Sequence, residues 1–369
     1  MKHFIASYLI FSLSIVKIYS QGIDAATDSS IVETPGKLTI GGYVDAYYGF
    51  DFGRPNGNDK AYFVSSARHH EVNINLAYID IKYTSDKIRA RFAPGFGTYI
   101  NANYINEPGV LKNLVEASAG LRIHKDIWLD AGVFGSPYTN ESAISKDHLM
   151  YTRSFAPEYV PYYLAGAKLT LPMGNKVTAY LYFLNGWQVI KDNNDKKSFG
   201  SQLEIRPNDK LLINWNTYIG SEQSDAAPDF RTRYFTDLYV IFNPSERFSA
   251  TACVYYGVQQ REDDLGESSS SEWFNANMIG KYNFTDKFGI SGRLEYFYDP
   301  ESVQITPVTD VAGFSSYSAS LCLNYQVAPN ALLRLESRSF FSDKNVYLND
   351  AEEPSAYNQW AVANISIWF

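Results

Sequence analysis

Residues 248–259 read Phe-Ser-Ala-Thr-Ala-Cys-Val-Tyr-Tyr-Gly-Val-Gln. Phe248, Ala250, Ala252, Val254, Tyr256 and Val258 fall on one phase of a two-residue repeat. Ser249, Thr251, Cys253, Tyr255, Gly257 and Gln259 fall on the other. Successive side chains of a strand point to opposite faces, so this stretch predicts a strand with one apolar face and one mixed, more polar face. Two further stretches repeat the pattern. Val115, Ala117, Ala119, Leu121 and Ile123 alternate with Glu116, Ser118, Gly120 and Arg122. Phe288, Ile290, Gly292, Leu294, Tyr296 and Tyr298 alternate with Gly289, Ser291, Arg293, Glu295 and Phe297.

From Lys37 onward sixteen such stretches follow one another: 38–51, 71–83, 87–96, 113–124, 126–135, 162–171, 176–188, 198–206, 210–220, 232–242, 247–260, 273–283, 287–298, 314–326, 331–341 and 358–369. The phase of the second slips near Ala77–Tyr78, which predicts a bulge there. The connections alternate as well. One set is tight and rich in Asp, Asn, Pro, Gly and Lys: 84–87, 124–126, 172–175, 207–209, 243–246, 283–287 and 327–330. The other is long and polar: 52–70, 97–112, 136–161, 189–197, 221–231, 261–272, 299–313 and 342–357. All long connections then lie at one end of the strands. Strands of about 9–11 residues cross a bilayer on a tilt. The pattern predicts an all-β chain: a transmembrane antiparallel β-barrel of about sixteen strands, with short periplasmic turns and long extracellular loops. A soluble sandwich or propeller has no reason to segregate long loops to one side. A soluble sixteen-stranded barrel could not fill its own lumen.

Composition agrees. The chain has 369 residues, 29 Tyr, 23 Phe, 6 Trp, 2 Cys and a net charge of −8. So many aromatics exclude a disordered chain, and two cysteines exclude a disulfide scaffold. Beyond residue 20 no apolar run approaches the roughly 20 residues of a spanning helix. The negative charge disfavours nucleic acid as a partner. Residues 1–20 (MKHFIASYLIFSLSIVKIYS) read as a cleaved export signal, with Lys2 and His3 before the apolar run Phe4–Val16 and the small Ser20 at the cleavage position. Residues 21–36 read as a loose periplasmic segment ahead of a barrel over 37–369.

Several segments resemble the OmpL-like β-barrel porin-2 family of Gram-negative outer-membrane porins, common in Bacteroidetes-like bacteria. They are Gly42-Tyr-Val-Asp-Ala-Tyr-Tyr48, Leu76-Ala-Tyr-Ile-Asp-Ile-Lys-Tyr83 and Tyr151-Thr-Arg-Ser-Phe-Ala-Pro-Glu-Tyr-Val-Pro-Tyr-Tyr163. The end, with Ala361, Ala363, Ile365, Ile367 and Phe369 in one phase, is similar to the final-strand signal read by barrel-assembly machinery. The resemblance implies an outer-membrane location and a water-filled channel for passive diffusion of small hydrophilic solutes. It names no solute, and it leaves monomer or homotrimer open.

With the apolar phase toward lipid, the other phase faces the lumen. It carries Asp45, Asp80, Lys82, Arg89, Arg91, Glu116, Arg122, Asp130, Lys168, Glu204, Arg206, Arg233, Asp237, Arg293, Glu295, Arg334, Glu336 and Arg338. An arginine at the lipid-facing midplane costs about 2–4 kcal/mol, so this segregation is physically required. A charged lining implies water. Neighbouring ion pairs that brace the wall are one reading. A sharper one puts Arg89, Arg91, Arg293, Arg334 and Arg338 opposite Glu141, Asp147 and Glu158 of the longest loop, 136–161, folded inward as a constriction.

Cys253 and Cys322 stand three strands apart, about 14 Å or more, and are expected as free thiols. Asp147-His148 near Ser145 is a weak hydrolase candidate, because adjacent residues seldom face each other productively. His69-His70 is a weak metal candidate. No cofactor is expected. A barrel enzyme of lipase or protease type, or a non-conducting adhesin or structural barrel, stays open as an alternative. The aromatic excess is read as two girdles at the membrane interfaces: Tyr47, Tyr48, Phe50, Tyr296 and Tyr298 at the loop end, and Tyr83, Phe284, Trp368 and Phe369 at the turn end.

Overall fold

A backbone amide in hydrocarbon has no water to bond, so a sheet that spans a membrane has to close on itself. The computed structural model describes residues 36–263 and 265–369. The proposed signal and the segment after it lie outside them, except for Gly36. Sixteen strands form a closed antiparallel barrel. They are β1 (Lys37–Asp51), β2 (Val72–Thr84), β3 (Ile88–Phe96), β4 (Leu114–His124), β5 (Ile127–Gly135), β6 (Tyr163–Pro172), β7 (Val177–Leu184) and β8 (Ser198–Asn208). They continue as β9 (Leu211–Ser221), β10 (Phe230–Phe242), β11 (Phe248–Glu262), β12 (Ser268–Asn283), β13 (Phe288–Asp299), β14 (Phe314–Ala328), β15 (Ala331–Phe341) and β16 (Tyr357–Trp368). Each strand pairs with its sequence neighbour, and β16 closes the ring against β1. The last residue completes the seam: Gly42 N donates to Phe369 O at 3.0 Å, and Phe369 N to Gly42 O at 3.1 Å.

The alternation of 248–259 is realised on β11. Cys253, Tyr255, Gly257 and Gln259 turn inward and are buried, while Val254 and Tyr256 face out. Cys253 on β11 and Cys322 on β14 are free and buried. The second-strand irregularity is present two residues earlier than expected. Asp45 pairs with Leu76 and Ala46 with Ile74, leaving Asn75 as the extra residue. The bulge turns Asn75 inward, where Nδ2 donates to Asp45 Oδ2 at 3.0 Å and Oδ1 accepts from Ser66 N at 2.7 Å.

Two expectations about connections change. The connection after β11 is not long: β11 and β12 keep pairing to Glu262 and Ser268, leaving only 263–267 between them. Ser268–Ser271 are polar on both phases because that part of the hairpin carries no apolar face, so alternation stops while pairing continues. β7 ends at Leu184 rather than 188.

Gly132 on β5 sits opposite Gly166 on β6. Their φ values are +131° and +151°, and a Cβ would lie 2.2 Å from Ala117 O and 2.1 Å from Phe183 O. Only glycine fits this close backbone approach. Gly280 on β12 has nothing within 4 Å of a Cβ. Gly166→Ala should therefore lower the stability of the refolded barrel by about 1–3 kcal/mol. Gly280→Ala should leave it unchanged. Urea midpoints in detergent micelles check both.

Candidate functional site

A barrel of sixteen strands is too wide for its wall side chains to meet across the lumen, so loops decide what is open. Loop 136–162 leaves β5 and crosses the interior. Near its start Thr139 N donates to Asp237 Oδ2 on β10 at 2.5 Å, and Asn140 Nδ2 to Thr251 Oγ1 on β11 at 3.0 Å. On the far side Ser145 Oγ lies 2.6 Å from Tyr43 OH on β1 and 3.2 Å from Ser366 Oγ on β16.

Three arginines of the wall hold this loop. Arg334 donates to Ser145 O (2.9 Å), Met150 O (2.8 Å) and Ser145 Oγ (2.9 Å). Arg293 donates to Thr152 O at 2.6 Å and to Thr152 Oγ1 at 2.8 Å. Arg338 donates to Arg153 O at 2.7 Å. All three are no more than 2% exposed. A buried guanidinium needs partners, and Glu295 and Glu336 supply them for Arg338 and Arg293. Arg338 reaches Glu295 at 2.5 Å and Arg293 reaches Glu336 at 3.1 Å. Glu336 also accepts Tyr151 N and Thr152 N, while Glu295 accepts Phe155 N at 2.6 Å. Wall and loop therefore share one buried polar network.

Toward the loop end, aromatic residues fill the interior. Phe63 packs on Trp360 and Phe340 on Trp360, each at 4.6 Å between ring centres. Phe155 reaches Phe297 at 5.5 Å, and Phe235 reaches Tyr255 at 5.3 Å. Tyr47 belongs to this layer, 2% exposed, so its place in a lipid girdle is corrected. Of the other girdle residues at the loop end, Tyr48 and Tyr298 are exposed and Phe50 and Tyr296 half-buried. At the turn end Phe284 and Phe369 are exposed and Tyr83 half-buried, while Trp368 turns inward beneath Lys146 of the loop, so its place in the girdle is corrected too. Much of the aromatic excess is core inside the barrel. A wet lining is likewise too broad a description: Asp45, Asp237, Arg293, Glu295, Arg334, Glu336 and Arg338 are buried.

The expected arginine set divides in two. Arg293, Arg334 and Arg338 meet the loop. Arg89 and Arg91 instead pair along the wall, Arg89 Nε with Asp130 at 2.6 Å, and Arg91 with Asp80 at 2.8 Å and Glu116 at 2.5 Å. Gly120 on β4 permits the first pair, since a Cβ there would lie 2.2 Å from Asp130 Oδ1. The loop carboxylates divide too. Glu141 lies 4.0 Å from Arg293 and accepts Ser154 N at 3.0 Å. Asp147 pairs with Lys146 at 2.6 Å, and Glu158 accepts Val64 N at 2.7 Å and Tyr162 OH at 3.0 Å. Neither of these two faces the arginines. Thr152, Arg153 and Ser154 escaped the sequence reading as site residues, although they lie in the quoted segment 151–163. A polar-aromatic run inside a loop was the available signal.

Below the loop, a cavity of about 360 Å³ is walled by β2–β7, with Lys82, Arg89, Arg91, Glu116, Asp130 and Lys168 on its lining. The hydrolase candidate does not assemble. His148 Nε2 accepts Ser142 N at 2.8 Å, while Ser145 is bound to Tyr43 and Arg334. Burial, with Arg153 and Arg334 nearby, pushes the His148 pKa well below 6.5. His69 Nδ1 accepts Asp51 N at 2.8 Å.

The family model for putative beta-barrel porin-2, OmpL-like, matches residues 37–366. The fold is similar to the outer membrane channel DcaP of Acinetobacter baumannii, at TM-score 0.62 and 10% identity over 90% of this chain and 97% of that one. It is also similar to OmpT of Vibrio cholerae (0.59, 10%, 92% and 100%). An anion-selective porin from Comamonas acidovorans is a further neighbour (0.58, 9%, 91% and 100%). No curated protein matches the sequence. Family and fold place the barrel in an outer membrane and point to a channel rather than an enzyme.

Removing one partner of a buried ion pair costs about 3–5 kcal/mol. Arg293→Ala leaves Glu336 and Glu295 short of a partner and frees Thr152. Trypsin should then cut within 136–162 in the refolded variant but not in the parent, as fragment masses would show. Equal resistance in both would mean that the network does not hold the loop.

Proposed function

We propose that this chain, which belongs to the OmpL-like β-barrel porin-2 family, forms a passive diffusion pore for small hydrophilic solutes in the outer membrane. It is exported with residues 1–20 cleaved and inserted by barrel-assembly machinery. The observation that carries the reading is the ionised inner wall of β2–β6. There Asp80, Arg89, Arg91, Glu116 and Lys168 are only partly buried, so water reaches them. A charged wall that faces a dry core would be costly. Loop 136–162 then sets the width of the passage, with its arginine and glutamate network as the brace.

A second reading has one observation in its favour. The aromatic layer at the loop end suits a barrel that does not conduct and whose loops bind other molecules. Planar-bilayer recording separates the two. The parent should pass ion current in small unit steps, and a variant with 142–150 replaced by a short Gly-Ser link should pass larger ones. Silence from both proteins would overturn the pore.

The assembly in this reading is a homotrimer. The lipid-facing surface of β11–β15 sinks into a depression of about 670 Å³ lined in part by Ala250, Gly280, Gly292, Ala319, Ser337 and Ser339. OmpT of Vibrio cholerae has a trimer form. Native mass spectrometry from detergent should give three copies of the mature chain. A single copy under all conditions would contradict it.

A further inference from the structure

The charge on the turn-end cavity is not balanced. Four cations lie on its lining, Lys82, Arg89, Arg91 and Lys168, against two carboxylates, Glu116 and Asp130. The third nearby carboxylate, Asp80, binds Arg91 and Lys82 from outside the lining, at 2.8 and 2.9 Å. The surplus stands out in a chain whose net charge is −8. It also differs from the network under the loop, where Arg293, Arg334 and Arg338 are buried and each donates to loop carbonyls.

Lys168 is the group left over. Asp130 lies opposite it in register on β5, but gives its carboxylate to Arg89 through Nε at 2.6 Å and through Nη2. Among the described residues no carboxylate lies within ion-pair distance of Lys168. Its Nζ instead sits 4.9 Å from the centre of the Phe134 ring. A half-buried ammonium that has Asp130 and Glu116 nearby but no direct ion pair keeps its donors for a ligand, since charge-assisted bonds are the strong ones. Ser118, Thr170 and Tyr180 on the same lining add hydroxyl donors. At about 360 Å³ the cavity is of small-ligand size.

The geometry points to a binding site for a small organic or inorganic anion, carrying a carboxylate or phosphate group, with Lys168 as its anchor and Arg91 and Lys82 at its sides. As a solute site it rests on the pore reading; as a binding site it does not.

The test uses full-length refolded protein, with succinate and inorganic phosphate as probes and a diamine of similar length as the cationic control. In bilayers, succinate or phosphate on the turn side should reduce the potassium chloride current, and the diamine should not. Lys168→Gln should raise the half-blocking concentration about tenfold, the loss of one charged hydrogen bond. Glu116→Gln, which frees one face of Arg91, should lower it, and misfolding cannot mimic that gain. Current that neither anion reduces, or equal block in parent and Lys168→Gln, would overturn the site and leave the pore intact. If the parent carries no current the pore reading falls, and equilibrium dialysis of labelled succinate and phosphate decides the site alone. Retention of either by the parent and its loss in Lys168→Gln supports the site, and retention of neither ends it.

Discussion

Every other feature of this molecule depends on hydrogen-bond closure. A strand that crosses hydrocarbon must give each amide and carbonyl to a neighbour, and the neighbour must do the same until the ring meets itself. Sixteen strands satisfy this through nearest-neighbour hairpins, and the final Phe369 bonds back to Gly42 at the seam. Closure fixes which phase of each strand meets lipid. It thereby sends the ionised side chains inward, where their charge is tolerated.

Closure also creates the central problem of the interior. The ring is too wide for its own side chains to fill. Two solutions coexist in one lumen. Where loop 136–162 crosses, backbone carbonyls and amides of the loop satisfy buried Arg293, Arg334, Arg338, Glu295 and Glu336, and aromatic rings pack above them. At the turn end of β2–β7 most wall charges pair with one another, Lys168 excepted, and most are only partly buried. The first region is rigid by the cost of unpairing its charges. The second keeps most of its charged side chains partly exposed.

The fold was legible because period-two alternation is local and lipid enforces it. Strand order, hairpin connectivity and the loop end followed from residues 37–369 with few errors. The errors have physical causes. The pattern puts the bulge at Ala77–Tyr78 because the phase change becomes visible only after Asn75 has turned in. Residues 261–272 read as a loop because pairing outlasts the apolar face that reveals it. Tyr47 read as girdle because a tyrosine near a strand end looks the same whether it meets lipid headgroups or a packed interior.

The sequence by itself determined the membrane-facing surface, because one alternation pattern alone is compatible with hydrocarbon on one side of every strand. It also determined that Arg89, Arg91, Arg293, Arg334 and Arg338 point inward. Only the tertiary structure decided which of them touch the loop, for that depends on where a 27-residue connection lands among strands far away in sequence. Arg293 and Arg91 look alike in the alternation, yet one is sealed against Thr152 and the other is held by Asp80 and Glu116. A strand's pattern records which side a residue faces. What waits on that side is set by contacts between residues far apart in the chain.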